Sequence, residues 1–293
     1  MKKTRKIQYI LAFLISVLLV PFIFTTIFSK QDNSIWQELL REQNSEDLEE
    51  LVDVLTGRLA MQMPVEYEKE ALKAQSVLIW TEVYRLRASG MADEEIIKEL
   101  NCFSQDKLQE TWGKAFDENY SKLKEAILET EGKVLKKDGA YIVPAFHRLS
   151  GKRTRDGAES LSADYTYLKS VENPQDLLAE DYCSIILLKD IVEEAKWSEY
   201  QELEIVERDS AGYVTKIMVN KEEWKGETFR QKLKLPSANF LLDTYEESYR
   251  FTCFGIGHGF GLSQYTANLL AKEGQNYEQV LNHFFQNITI ETE

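Results

Sequence analysis

The segment GIGHGFGLSQY, Gly255 to Tyr265, sets glycines on both sides of one of only three histidines in 293 residues. Glycine lacks the Cβ that keeps neighbouring groups at a distance, so the backbone at Gly257 and Gly259 is expected to pass close to something, with His258 held in a tight turn. Ser263 stands where an N-cap belongs, and Gln264 to Lys272 predicts a short helix that Gly274 ends. A glycine turn, a histidine and a capped helix between Gly255 and Lys272 read together as a site.

Beyond Gly132, on either side of this segment, the pattern is alternating and β-branched. Lys133 to Leu135 and Tyr141 to Phe146 flank Lys137-Asp138-Gly139, a hairpin signal. Leu203 to Val206 and Tyr213 to Val219 flank Ser210-Ala211-Gly212 in the same way. Tyr249 to Phe254 and Asn287 to Glu291 are further short strands, with a helix inserted near Gly226.

Before Gly132 the period changes to 3.6. Glu66 to Ala88 contains neither Gly nor Pro, and its Ala71, Leu72, Val77, Leu78, Val83 and Leu86 fall at helical spacing. Ala92 to Leu100 and Gln105 to Thr130 are also helical. In the latter, Trp112, Phe116, Tyr120, Leu123 and Ile127 form an apolar stripe, read as core packing. Helices first and strands afterwards predict an α+β domain of short antiparallel strands with inserted helices.

The N-terminus is a separate matter. MKKTRK precedes Ile7 to Ser29, a run of 23 residues without charge, long enough to cross about 30 Å of hydrocarbon. The competing reading, a cleaved signal peptide, wants small residues where Phe22 to Phe28 supplies bulky ones. Basic residues ahead of the span place residues 1–6 in the cytoplasm and the rest outside the cell membrane. The expected organisation is a cytoplasmic tail over 1–6, a single transmembrane anchor over 7–29, a helical stalk over 30–50 and a domain over 51–293.

Composition narrows the partners. With 35 basic against 49 acidic residues the net charge is -14, which argues against nucleic acid and anionic lipid surfaces, since phosphate neutralisation needs a basic face. A neutral glycan remains compatible. Cys102, Cys183 and Cys253 are odd in number and far apart, without a C-x-x-C pair, so they read as three partly buried thiols.

Four ordered blocks carry a family resemblance. The C-terminal segment, with the following TANLLAKEG and NYEQVLNHFF, resembles the signature of the stage II sporulation protein D family. MPVEYEKEALKAQSVLIWTEVYRLR (Met63 to Arg87) is similar to that family's first block, and GETFRQKLKLPSANF (Gly226 to Phe240) to the segment ahead of the glycine loop. AFHRLSGKRT (Ala145 to Thr154), with His147 and Ser150, resembles a His-Ser-Ser-Gly-type loop.

The resemblance implies a peptidoglycan lytic transglycosylase that acts on glycan strands lacking stem peptides, during engulfment in sporulation and beside an engulfment membrane protein and a cell-wall amidase. One carboxyl group of raised pKa is then required, first to protonate the glycosidic oxygen and then to take a proton from the sugar's 6-hydroxyl. In the family that group is a glutamate directly before Met-Pro; here Met63-Pro64 follows Gln62. A carboxamide matches a carboxylic acid in shape but delivers no proton near neutral pH. The expectation is a catalytically impaired, glycan-binding member, with Glu66 or Glu70 as substitute acids if it cuts. The resemblance also brings His147, Ser150, Gly257, His258, Gly259, Ser263 and Gln264 to the sugar. No cofactor is expected: Cys253 and His258 are two candidate ligands where zinc takes three or four.

Overall fold

A helix without glycine or proline, buried on nearly all sides, organises the structure. The computed structural model describes residues 47–293 except 194, 195, 197 and 198. The chain divides into two units, residues 1–51 and Val52–Glu293. Of the first, residues 47–51 are described and are helical, while the predicted span over 7–29 and most of the stalk lie outside the described residues. No helix among the described residues is long and apolar enough to cross a membrane.

The second unit begins within α1, the helix over 47–62. The central helix is α2 (Lys69–Ala88), with Ala71, Leu72, Val77, Leu78, Trp80 and Val83 buried. Its side chains are tied into its neighbours: the Trp80 indole N–H donates to the Ile127 carbonyl at 3.0 Å and the Thr81 hydroxyl accepts from the Leu135 N–H at 2.9 Å. After α3 (Asp93–Glu99), the predicted helical stretch from Gln105 breaks into α4 (Gln105–Trp112) and α5 (Phe116–Glu129), separated by Gly113 at φ 54. This break corrects the apolar stripe. Leu123 and Ile127 are buried, but Trp112, Phe116 and Tyr120 are only half-buried.

The hairpin at Asp138-Gly139 forms as expected, β1 (Lys133–Lys137) pairing antiparallel with β2 (Ala140–Tyr141), both turn residues at positive φ. The later strand β11 (Thr289–Thr292) adds to the other edge of β1. Past Tyr141 the chain leaves the hairpin, and Phe146 instead belongs to β3 (Phe146–His147). Downstream come the short helix α6 (Gly157–Ser160), β4 (Cys183–Leu187) and α7 (Leu188–Ile191).

Two antiparallel three-stranded sheets follow. One has the order β4-β9-β8, with β8 (Phe240–Tyr245) and β9 (Ser248–Phe254); the other is β5-β6-β7, with β5 (Leu203–Arg208), β6 (Val214–Val219) and β7 (Glu222–Lys225). Their shared core is filled from α8 (Gly226–Lys232): Phe229 meets Phe240 and Phe251 at 6.0 and 5.8 Å between ring centroids. The expectation of antiparallel strands throughout needs one amendment. The strand β10 (Leu262–Ser263) pairs parallel with β3, Ser263 opposite His147. Helices α9 (Gln264–Lys272) and α10 (Tyr277–Phe284) then pack back on α2.

Cys253 is buried, Cys102 half-buried and Cys183 exposed, all as free thiols. The expectation of three partly buried thiols therefore fails at Cys183, which lies on the outward face of an edge strand.

Candidate functional site

The glycine turn leaves β9 at Gly255 and reaches β10 at Leu262. Gly257 has φ 110, and a Cβ there would stand 2.8 Å from that of His147; at Gly259, φ 82, it would meet the Tyr213 ring at 2.4 Å. The close approach inferred from the sequence is thus to the protein's own side chains. Arg155 locks the turn from behind. Its guanidinium is buried against Asp209 at 2.6 Å, lies over the rings of Tyr213 and Phe260, and donates to the His258 carbonyl.

The two loop histidines come together at 6.0 Å between ring centroids. His147 Nδ1 lies 3.0 Å from the Phe260 carbonyl, which can only accept, so Nδ1 carries the proton and Nε2 is a bare acceptor, buried without a partner. The Phe260 N–H donates to His258 Nδ1 at 3.1 Å, which puts the His258 proton on Nε2. Burial lowers both pKa values to about 4, assisted for His258 by repulsion from His147. Both rings are neutral at pH 7. His283, in the last turn of α10, is also pushed down by burial, and its ring meets Asn173 and Phe284.

A buried carboxylate that the sequence reading did not single out organises the next layer. Asp176 accepts from the Ser150 N–H and hydroxyl at 2.7 and 2.6 Å, from the Ser263 hydroxyl at 2.9 Å and from the Thr266 hydroxyl at 2.7 Å. Burial raises its pKa, and the Ser150, Thr266 and Ser263 hydrogen bonds oppose that. Ser263 is at the N-cap position of α9, but its hydroxyl goes to Asp176 and makes no cap bond. Ser150 and Ser263 are fully buried. They position the β3–β10 pair.

Three amides meet beside this layer. Gln264 Nε2 donates to the main-chain carbonyl of Gln62 at 2.8 Å, and to Gln75 Oε1 at 3.4 Å. Gln75 Nε2 donates in turn to Gln62 Oε1 at 2.8 Å. A backbone carbonyl has no alternative orientation, so it fixes the sense of the whole chain of amides: the oxygen of Gln62 is occupied and its NH2 is the edge left for another group. Gln264 and Gln75 are buried and Gln62 is half-buried.

Gln62 opens on two cavities. One, about 310 Å³, is lined by residues 60–66 with Trp112, Arg148 and Gln264. The other, about 170 Å³, includes Arg58, Gln75, Glu82, Arg85, Pro144 and Phe146. Neither His147 nor His258 lines either one. Glu66 is exposed and borders the larger cavity. Glu70 is placed otherwise: one carboxylate oxygen meets Lys73 at 3.0 Å and the other accepts from the Tyr277 N–H at 2.7 Å, capping α10.

Among the described residues no three of His, Cys, Asp and Glu cluster as metal ligands. Cys253 is a buried thiol that burial pushes up to about 12. Of the site residues the sequence reading missed, Gln75 lies inside the quoted EALKAQ block. Asp176 and Arg58 carry no local signal.

A family model described as stage II sporulation protein matches residues 40–136. The chain is 28% identical over 257 residues to stage II sporulation protein D of Bacillus amyloliquefaciens, an overlap of 82% of this chain and 74% of that protein. It is 28% identical over 260 residues to stage II sporulation protein D of Bacillus subtilis (strain 168), with the same shares. An amidase enhancer of the same B. subtilis strain is 25% identical over 300 residues, 80% of this chain and 40% of the relative.

Proposed function

From the match of residues 40–136 to the stage II sporulation protein family model and the 28% identity to stage II sporulation protein D, we propose that this is a sporulation cell-wall protein that binds peptidoglycan glycan strands lacking stem peptides without cutting them. The observation behind this reading is the amide at position 62. It occupies the place where the family resemblance calls for the acid, it borders both cavities, and Gln75 and Gln264 hold it rigidly. A positioned acid or base contributes about 100- to 10,000-fold to rate, and neither neutral histidine replaces it. Trp112 on the wall of the larger cavity supplies the aromatic surface on which a sugar ring packs. The uncharged run over residues 7–29 would hold the domain at the outer face of the cell membrane, within reach of an engulfment membrane protein and a cell-wall amidase.

The exposure of Glu66 on the same cavity supports a second reading, an active lytic transglycosylase with Glu66 as the acid. Glu70, engaged by Lys73 and by the start of α10, fits that role poorly. Incubating the full-length chain with peptide-free glycan and analysing sugar ends by mass spectrometry separates the two. The first reading expects no 1,6-anhydro ends from the native chain and their appearance in Gln62→Glu. Anhydro ends from the native chain that vanish in Glu66→Gln would overturn it.

A further inference from the structure

The smaller cavity beside Gln62 is unlike its surroundings. The chain carries a net charge of -14, yet this cavity is lined by two arginines and one glutamate. Glu82 is already claimed, its carboxylate forming a two-pronged pair with Arg85 at 2.8 and 2.9 Å. Arg58 has no carboxylate within ion-pair distance among the described residues, and its recorded bond is to the Asn101 carbonyl at 3.1 Å. Burial works against its charge, which a bound anion would offset. A second donor on the wall is the NH2 of Gln62, because Gln75 takes its oxygen.

Size narrows the occupant. At about 170 Å³ the cavity has room for a small substituent against Leu78, Ile79, Val143 and Phe146. The larger cavity, which shares Gln62 with it, is where the sugar bearing that substituent would lie.

We propose that this cavity binds the carboxylate of an acidic ether substituent on a glycan strand, with Arg58 and the Gln62 amide as its donors. The inference rests on the glycan-binding reading and sharpens it. The lactyl group of a muramic acid residue has this chemistry once its peptide is gone: a short apolar stem ending in a free carboxylate. With the peptide attached, the carboxylate becomes a neutral amide whose chain exceeds the cavity. Selection for peptide-free strands would then be a direct readout of one exposed negative charge.

The test compares three ligands for the full-length chain by microscale thermophoresis: peptide-free glycan strands, the same strands with their carboxyl groups converted to amides, and chitin oligosaccharides of equal length. The proposal expects the first to bind at least about tenfold more tightly than the others, as loss of a hydrogen bond to a charged group entails. Arg58→Gln should abolish that preference. Equal binding of all three overturns the carboxylate pocket while leaving the glycan reading intact; binding of none overturns the glycan reading itself. Because the ligand comparison needs no substitution, any folding defect in Arg58→Gln leaves the result decisive.

Discussion

The amide of Gln62 is fixed by partners far away in sequence, and the energetics of that arrangement are testable residue by residue. Replacing Gln264 with leucine leaves the Gln62 carbonyl and the Gln75 amide oxygen buried without their donor. An unsatisfied buried polar group costs about 1–3 kcal/mol, so urea unfolding should show a loss of that order. Asp176→Ala strands the donors of Ser150, Ser263 and Thr266 together and should cost more, about 3–5 kcal/mol, near the upper end for single substitutions. A loss within error in both would mean that neither network supports the fold. Gln62 was legible in the sequence because Met63-Pro64 marks its position. Asp176 was not, since its partners lie 26, 87 and 90 residues away and nothing in NPQDLL separates it from a surface acid.

Among the elements, the two-residue strands β3 and β10 and the glycine turn between β9 and β10 carry the site. Gly259 stands at φ 82 against the Tyr213 ring, so Gly259→Ala imposes both backbone strain and overlap, and the expected cost of about 1–3 kcal/mol is readable by thermal denaturation. Acid is the second probe of this turn. The histidines His147 and His258 titrate at about 4 in the fold against an ordinary value of 6.5, so between these values the unfolded chain binds protons that the folded chain does not. Stability should be intact above pH 6.5, fall as pH drops from 6.5 toward 4, and level off below that. His147→Asn, which retains a donor for the Phe260 carbonyl, should flatten part of this slope in melting temperature against pH. An unchanged slope would contradict the assignment of neutral, buried rings. The hairpins at Asp138-Gly139 and Ala211-Gly212 were readable because their signals are local. A two-residue strand has no period to detect, and its partner is defined only by the fold, so β3 and β10 stayed hidden.

For the molecule as a whole, the order of helices followed by strands was plain from the change in hydrophobic period near Gly132. The break at Gly113 was less plain, because the apolar stripe continues through it, and so Trp112 was assigned to the core when it lines a cavity. The ion pair between Arg155 and Asp209 joins the loop after β3, the turn before β6 and the glycine turn. Removing one member of a buried pair costs roughly 3–5 kcal/mol. Arg155→Met should accordingly lower the melting temperature by roughly 6–20 °C in a domain of this size.

The contact from Gln264 to the Gln62 carbonyl spans 202 positions, and this has a bearing on biogenesis. A ribosome delivers Gln62 long before Gln264 exists, so the amide network can close only in the last tenth of synthesis. Release anywhere ahead of α9 would leave Gln62 without the Gln264 amide and α2 without the two helices that pack on it.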